Sequence, residues 1–336
     1  MIRWHALAAA FFALPLFLSA TPFELPTTNR ALLDADGGTD RYFVGTEGKL
    51  WPSGQFGCVR TDGWQFHEGM DIRPMTHDKH GEPADLAMAA ADGVVAYFNT
   101  RTGLSNYGNY VVLRHRIEGL EVFTLYAHLA QVQPGLKVGQ IVKTGQPVGT
   151  MGRTSNTRQR ITKERGHLHF EIDFMASERY AEWHRSRLAT TRNDHGDFNG
   201  FNLFGLDPAG IFHEQQRLQG NFRLSQFIRM QPELCQVRLR VPEFSWSHRY
   251  RGLAEANPLV QHAPIAGWDV SLTFNGIPCR MIPRTAAELG KGPKVQLLSV
   301  NEANRTNSPC GRLVVQRGAK WVLTHKGEQL LDLMTY

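Results

Sequence analysis

The chain has 336 residues, of which 42% are hydrophobic and 20% are charged, and its formal net charge is +6. This is an ordinary globular composition, long enough for a full hydrophobic core and for about two domains. Lysine and arginine are not gathered into a stripe, so the positive charge favours an anionic polymer as partner but gives no support for nucleic-acid binding.

Residues 1–20 have the pattern of a secretory signal peptide. Arg3 precedes an apolar run over residues 6–18, and the small pair Ser19 and Ala20 follows. Leu18 is larger than the residue usual at its place before a cleavage site, so an uncleaved anchor stays an alternative, although the run is short for a membrane span. We expect an exported protein, periplasmic or secreted, with no stable membrane insertion after signal cleavage.

The rest of the chain divides by composition into three parts. Residues 21–41 are polar and contain prolines and glycines, which is typical of a linker or a loose strap. Residues 42–214 are short β-type runs separated by glycine turns, and they predict an antiparallel sheet or a barrel-like sandwich. Residues 215–336 alternate strands with a helix over 285–289, capped by Thr285 and Glu288, and predict a small β-rich C-terminal domain. The predicted fold class is all-β.

The most informative stretch of the first domain is the His-x-His pattern at residues 167–169. On a strand, alternate side chains share a face, so His167, His169 and Glu171 should line one surface while the apolar residues between them enter the core. Two ordinary surface histidines are the alternative interpretation.

Two further elements supply histidines and a carboxylate. His67 and Asp71 are four positions apart, and zinc in hydrolytic sites commonly takes three ligands of the histidine and carboxylate type. Strand alternation predicts that His128 shares a face with Thr124 and Tyr126, and so displays a third histidine.

Over about residues 51–211 the chain resembles the lysostaphin/LytM-type family of zinc metallopeptidases, whose members cut peptide bonds in bacterial peptidoglycan. The resemblance rests on these motifs: His67-Glu-Gly-Met-Asp71, Ala91-Asp-Gly-Val-Val95, Tyr107-Gly-Asn109, Tyr126-Ala-His-Leu129, a series of glycine turns over 138–149, and Gly166-His-Leu-His-Phe-Glu171. It implies one Zn²⁺ held by His67, Asp71 and His169, with His128 and His167 as the catalytic histidines. It also implies hydrolysis of a cross-bridge or stem peptide by a zinc-activated water.

Two segments depart from the family pattern. A long basic loop, residues 153–165, leads into the double histidine and is expected to control what reaches the metal. Residues 75–87 contain His77, Asp78 and His80, for which a solvated loop is favoured over a second metal site. Glu171 could orient a ligand histidine or form a salt bridge with the basic loop, and the sequence does not decide between these roles.

Two other functions compete with the endopeptidase. Some members of this family have lost metal ligands and act as non-catalytic activators of cell-wall amidases, and a secreted bacteriolytic protease is a third possibility. The presence of all five site residues argues against the regulator.

Four cysteines allow three disulfide pairings. Because an exported protein permits disulfides, a bridge between Cys279 and Cys310 is favoured, with four free thiols as the alternative.

Overall fold

A computed structural model describes residues 21–158 and 160–336. The predicted signal peptide, residues 1–20, lies outside this range. In the described chain no helix is both long and apolar enough to cross a membrane.

The structure is mostly β. The strands are β1 (Gly57–Arg60), β2 (Gln65–His67), β3 (Met70–Ile72), β4 (Leu86–Met88), β5 (Gly93–Asn99), β6 (Asn109–Ile117), β7 (Leu120–Leu129), β8 (Gln131–Val132), β9 (Ile141–Val142), β10 (Pro147–Thr150), β11 (Leu168–Met175), β12 (Leu203–Leu206), β13 (Cys235–Leu239), β14 (Ile265–Leu272), β15 (Pro278–Thr285), β16 (Val295–Val300), β17 (Val314–Arg317) and β18 (Lys320–Leu323).

Helices connect and flank these strands. The α-helices are α1 (Thr39–Tyr42), α2 (Tyr180–Arg187), α3 (Pro208–Leu218), α4 (Leu224–Arg229), α5 (Ser245–Arg249), α6 (Ala286–Leu289), α7 (Glu302–Asn307) and α8 (His325–Met334). Single 3₁₀ turns lie at Ala31–Leu33, Trp51–Gly54, Thr102–Leu104, Lys163–Arg165, Gln219–Asn221, Arg251–Leu253 and Pro258–Gln261.

The main sheet is antiparallel and has the order β12-β11-β7-β6-β5-β9. One edge of β11 pairs with β7, and its other edge is shared by β3 and β12. The sheet is an open path, so the predicted all-β antiparallel fold is confirmed without closure into a barrel. A smaller sheet, β4-β10-β8, lies beside it.

The central strand β11 is buried along its whole length and separates two clusters of side chains. Phe170, Ile172 and Phe174 enter the large hydrophobic core, as the alternation predicted. Their neighbours His169, Glu171 and Asp173 lie on the other face, where only a small apolar cluster forms around Tyr110. Strand β11 therefore carries polar, buried groups on one face and is anchored by the core through the other.

Residues 21–41 pack closely on the sheet. Phe23 and Leu32 are buried in the large core, and the backbone N–H of Phe23 donates to Oε1 of Gln215 on α3 at 3.0 Å. The segment is thus a packed strap and not a free linker, because its apolar residues find partners on α3.

The C-terminal part, residues 215–336, contains a second antiparallel sheet, β15-β14-β13-β16, and the hairpin β17-β18. The capping box at the start of α6 forms as predicted, with Thr285 and Glu288 bonding each other's backbone. The ring of Phe174 on β11 lies 5.5 Å from Trp246 and 5.0 Å from Tyr250, so both parts share one core. The division into two domains near residue 214 stays a prediction.

The predicted Cys279–Cys310 bridge is wrong. The structure joins Cys58 to Cys310, whereas Cys235 on β13 and Cys279 on β15 are buried free thiols. Proximity in sequence favoured the wrong partner, because β1 is brought beside the C-terminal part only by tertiary packing. The bridge ties the β1-β2 hairpin, which ends at His67, to the C-terminal part.

Candidate metal centre

His67 and Asp71 are placed by a tight turn between β2 and β3. Glycine is required in this turn, because a Cβ on Gly69 would lie 2.2 Å from the carbonyl oxygen of Phe170. Strand β3 then pairs with β11 so that Asp71 lies directly opposite His169. The turn and the strand register together bring the two halves of the predicted ligand set into contact.

The three predicted ligands converge on one point and are all buried. Nε2 of His67 lies 3.1 Å from Nδ1 of His169 and 3.2 Å from Oδ1 of Asp71, and Nδ1 of His169 lies 3.0 Å from the same carboxylate oxygen. A tetrahedral metal ion with bonds of about 2.0–2.1 Å holds its ligand atoms about 3.3 Å apart. The spacing of the three atoms therefore fits a metal ion.

The outer ring nitrogens of the two histidines fix their tautomers. Nδ1–H of His67 donates to the carbonyl oxygen of Gln55 at 2.7 Å, and Nε2–H of His169 donates to Oε1 of Glu171 at 2.6 Å. Each acceptor takes the proton of one nitrogen, so the other nitrogen directs a lone pair into the site. This donor set suits a divalent cation.

Electrostatics agree with a cation at this point. Burial lowers the pKa of His67 to about 4, so that its imidazole is neutral. Burial also opposes a charge on His169, but the hydrogen bonds that its ring donates to Asp71 and Glu171 outweigh it and raise the pKa of His169 to about 9. Two carboxylates thus stabilise positive charge between them.

His128 and His167 face the same site without belonging to the ligand triad. Nδ1–H of His128 donates to the carbonyl of Thr154 at 2.8 Å, and Nδ1–H of His167 donates to the carbonyl of Arg165 at 2.6 Å. Their ring centroids are 5.0 Å apart, and Nε2 of His167 lies 3.4 Å from Oδ1 of Asp71. Both rings therefore present a free Nε2 to the cavity.

The strand argument for His128 is wrong, although the residue reaches the site. Tyr126 pairs with Phe170 and packs against it in the large core, so residues that alternate with Tyr126 face away from His169. His128 turns back because its φ is +60°, a left-handed conformation that is costly for a residue with a side chain. Strand periodicity cannot predict such a local reversal.

Arg60 is a site residue to which the sequence gave no role. Its Nη2 donates to Oδ2 of Asp71 at 2.7 Å, the carboxylate oxygen that faces away from the histidines. Burial would raise the pKa of Asp71, but its interactions with His167, His67 and Arg60 hold it well below its ordinary value. Only the register of the β1-β2 hairpin places Arg60 here, so its position in sequence carries little signal.

Behind His169 lies a buried acidic pair on β11. Glu171 binds His169 and makes no salt bridge with the described residues of the basic loop, which favours the role of orienting the histidine. Burial and the adjacent charge of Glu171 raise the pKa of Asp173 well above its ordinary value, which favours its protonated form. Glu171 is therefore the member of the pair whose charge faces His169.

A groove of about 970 Å³ opens over these groups. The predicted basic loop forms one wall through Ser155, Asn156, Thr157, Ile161 and Arg165, while Tyr107 and Phe201 line other parts. Arg153 at the start of the loop is paired with Glu82 through bonds of 2.7 and 2.9 Å, which fixes the loop to the domain.

Three other histidines, His77, His80 and His115, lie outside the candidate metal centre. His77, Asp78 and His80 lie on an exposed loop, where Oδ1 of Asp78 accepts backbone N–H groups. Of the described residues, only His67, Asp71 and His169 are grouped closely enough to hold a metal ion. His115 is buried and bonds the carbonyl of Asp92 and the hydroxyl of Thr124, as expected for a structural residue.

Comparison with known proteins places all five residues of the site inside one matched segment. Residues 65–180 match the model of peptidase family M23. None of the curated proteins compared with the chain matches it.

Several solved structures are similar to parts of the chain. A zinc-containing peptidase from Vibrio cholerae is 28% identical over 32% of this chain and 26% of its own, with a TM-score of 0.23. The catalytic domain of lysostaphin from Staphylococcus simulans is 20% identical over 51% of this chain and 88% of its own, with a TM-score of 0.29. Helicobacter pylori Csd3 is 18% identical over 61% of this chain and 45% of its own, with a TM-score of 0.28.

Proposed function

Since residues 65–180 match the model of peptidase family M23, we propose that this protein is a zinc-dependent endopeptidase that hydrolyses peptide bonds of bacterial peptidoglycan. The observation that carries the proposal is the cluster of four imidazoles, three of which lie within 3.4 Å of Asp71, with the outer nitrogen of each ring already bonded to an acceptor. An exported protein, periplasmic or secreted, would meet this substrate.

His67, Asp71 and His169 would hold one Zn²⁺. Two neutral imidazoles and one carboxylate form a ligand set typical of catalytic zinc, which leaves one position open. When bound, the ion supplies Lewis-acid chemistry that makes water nucleophilic near neutral pH and polarises the scissile carbonyl.

His128 and His167 would move the protons of the reaction. Their Nδ1 protons are held by the carbonyls of Thr154 and Arg165, so each ring is locked in one orientation with Nε2 toward the groove. From there one Nε2 can accept a proton from the attacking water, and a protonated Nε2 can deliver one to the leaving amine. Burial and the neighbouring imidazoles lower the pKa of His128 well below its ordinary value, which keeps it in the neutral form.

Two side chains outside the ligand set, Arg60 and Glu171, orient the ligands through hydrogen bonds. Arg60 holds Oδ2 of Asp71, so that Oδ1 alone faces the ion, and Glu171 fixes the ring of His169. Such outer hydrogen bonds orient metal ligands and commonly change metal affinity by about 10–100-fold when they are removed.

The proposal is tested by incubating the purified protein with peptidoglycan sacculi and identifying the released fragments by mass spectrometry. We expect cleavage at a peptide bond that is lost with a chelator, restored by Zn²⁺ and absent in His167→Ala. His80→Ala is the matched control, because His80 is exposed on a loop away from the groove, and it should cleave like the wild type. Absence of any release, together with stimulation of an added amidase, would favour the non-catalytic regulator. Cleavage of general proteins but not sacculi would favour a broader secreted protease.

A further inference from the structure

Arg165 is a half-buried arginine in the wall of the groove that forms no ion pair in the described chain. Its Nε donates to the carbonyl oxygen of Gly45 at 3.0 Å, and this is the one hydrogen bond that its side chain makes to described residues. Three other arginines that are at least partly buried are matched by carboxylates: Arg153 by Glu82, Arg238 by Asp269, and Arg249 by Glu121. A partly desolvated cation without a counter-charge is costly.

The surroundings add to this cost. Burial lowers the pKa of Arg165, and the positive charge of Arg60 lowers it further against the attraction of Asp71. Asp71 is already shared by Arg60 and three histidines. No carboxylate among the described residues therefore forms an ion pair with Arg165.

The remaining charged residues of the groove do not change this balance. Lys49 and Asp62 pair with each other at 3.3 Å, and both are largely exposed. Glu47 is exposed to solvent. Glu68 also lines the groove, and no described contact pairs it with Arg165.

The bond to Gly45 determines what Arg165 can still bind. Because Nε is engaged and no described residue bonds the two terminal nitrogens, the guanidinium offers Nη1 and Nη2 as a fork. This fork matches the two oxygens of a carboxylate. Arg165 is also two residues from His167 and supplies the carbonyl that orients it, so a carboxylate bound here lies beside the catalytic groups.

We propose that Arg165 binds a free carboxylate of the peptide substrate, close to the bond that is cut, and that the enzyme therefore acts on carboxylate-bearing stem-peptide segments and not on uncharged glycine bridges. This inference rests on the proposed function and names its substrate class. It makes Arg165 a specificity-determining residue of the basic loop.

The test uses four synthetic stem pentapeptides, in which the α-carboxylate of the D-glutamyl residue and the C-terminal carboxylate are each either free or amidated. A charge-assisted hydrogen bond contributes about 1.5–3 kcal/mol, which corresponds to a factor of about 10–150. We expect amidation of one of the two carboxylates to lower kcat/KM by that factor in the wild type, mainly through KM. Arg165→Gln should cleave the free and amidated peptides equally, and Arg165→Lys should keep part of the preference.

Arg158→Gln is the matched control. It removes the same charge from the same loop, but Arg158 is exposed and does not line the groove, so the preference should persist. Equal cleavage of all four peptides by the wild type would overturn the inference while leaving the endopeptidase intact. An equal loss on all four peptides in Arg165→Gln would also overturn it, because that result marks a role in folding or in the transition state.

A measurement of peptide affinity can test this inference even if the proposed endopeptidase activity is absent. If the wild type cleaves neither sacculi nor peptides, the endopeptidase proposal fails, and the affinities of the four peptides for the full-length protein are then measured by calorimetry. A carboxylate preference that is lost in Arg165→Gln still supports the subsite, and equal affinities overturn it.

Discussion

Strands β14 and β11 both bury carboxylates, and the surroundings of these carboxylates are opposite. In the C-terminal sheet, Asp269 on β14 is 3% exposed and is bonded by Arg238 and Arg284 at 2.8–2.9 Å. On β11 of the main sheet, Glu171 and Asp173 are fully buried, and neither has an arginine or lysine partner among the described residues.

This difference in charge pairing distinguishes a structural sheet from the wall of a binding site. The C-terminal sheet neutralises its buried charge with its own side chains, as a structural element must. The groove leaves its groups open: four imidazole nitrogens point inward, the acidic pair favours a cation, and Arg165 lacks an anion. Charges left unmatched within the fold mark the place where a metal ion and a substrate would complete them.

The largest expected effect is on the open side of this comparison. His167→Ala should lower kcat by about 10²–10⁴-fold without loss of the metal, because His167 is not one of the three converging ligands. Kinetics on released peptides combined with metal analysis checks this. Metal loss in His167→Ala would instead make it a ligand.

The second-largest expected effect concerns the disulfide between Cys58 and Cys310, which links the two regions. Replacing Cys58 and Cys310 by serine should lower the free energy of unfolding by about 2–5 kcal/mol, because a bridge across 252 residues is removed. Urea unfolding monitored by tryptophan fluorescence measures the change. Cys279→Ser serves as a control at a cysteine outside the bridge, and a larger loss there than in the double variant would contradict the predicted order.

The two buried aspartates provide a direct contrast. Asp269→Asn should lower the free energy of unfolding at neutral pH by about 2–3 kcal/mol, because it leaves two arginines unmatched. Asp173→Asn should leave stability unchanged or raise it, since burial and Glu171 already keep the carboxyl protonated. Matched unfolding curves of the two variants decide this, and equal losses would remove the distinction.

The contrast also depends on pH in a defined direction. Burial opposes the charge of Asp269, but Arg238 and Arg284 outweigh it and hold its pKa below the ordinary value. The stabilisation is therefore complete above about pH 3.9, the unfolded-state value, and is lost as the pH falls through the lower folded-state pKa. The gap between wild type and Asp269→Asn should close in acid, and a gap that persists below both pKa values would contradict the assignment.

The smallest expected effect concerns the residue that orients His169. Glu171→Gln should weaken metal affinity by about 10–100-fold, because the amide is nearly the same shape but lacks the charge behind the ligand. Competition with a chromophoric chelator measures it. Unchanged affinity would mean that the 2.6 Å contact with His169 only packs the ring.

The sequence predicted those parts of the site that follow from strand periodicity. His167 and His169 lie on one face as expected, because β11 is regular and fully buried on its core side. The four-residue spacing of His67 and Asp71 also predicted correctly that they lie together, since only a short turn separates β2 from β3.

Other features depend on contacts that sequence patterns do not contain. His128 reaches the site through a positive φ, Arg60 through the register of a hairpin, and Cys58 meets Cys310 through packing of the two parts. The strand β15 was not predicted, because its two prolines and two arginines hide the apolar alternation. Long-range placement, not local preference, determines each of these.

The central claim is that His67, Asp71 and His169 form a zinc centre. The most direct measurement is elemental analysis of the purified protein after dialysis against Zn²⁺ and removal of excess metal, with His80→Ala as control. The structure predicts one zinc per chain in the wild type and control, and less than a tenth of that when Asp71 and His169 are both replaced by alanine. A wild type without zinc, or a double variant that retains one equivalent, would contradict it.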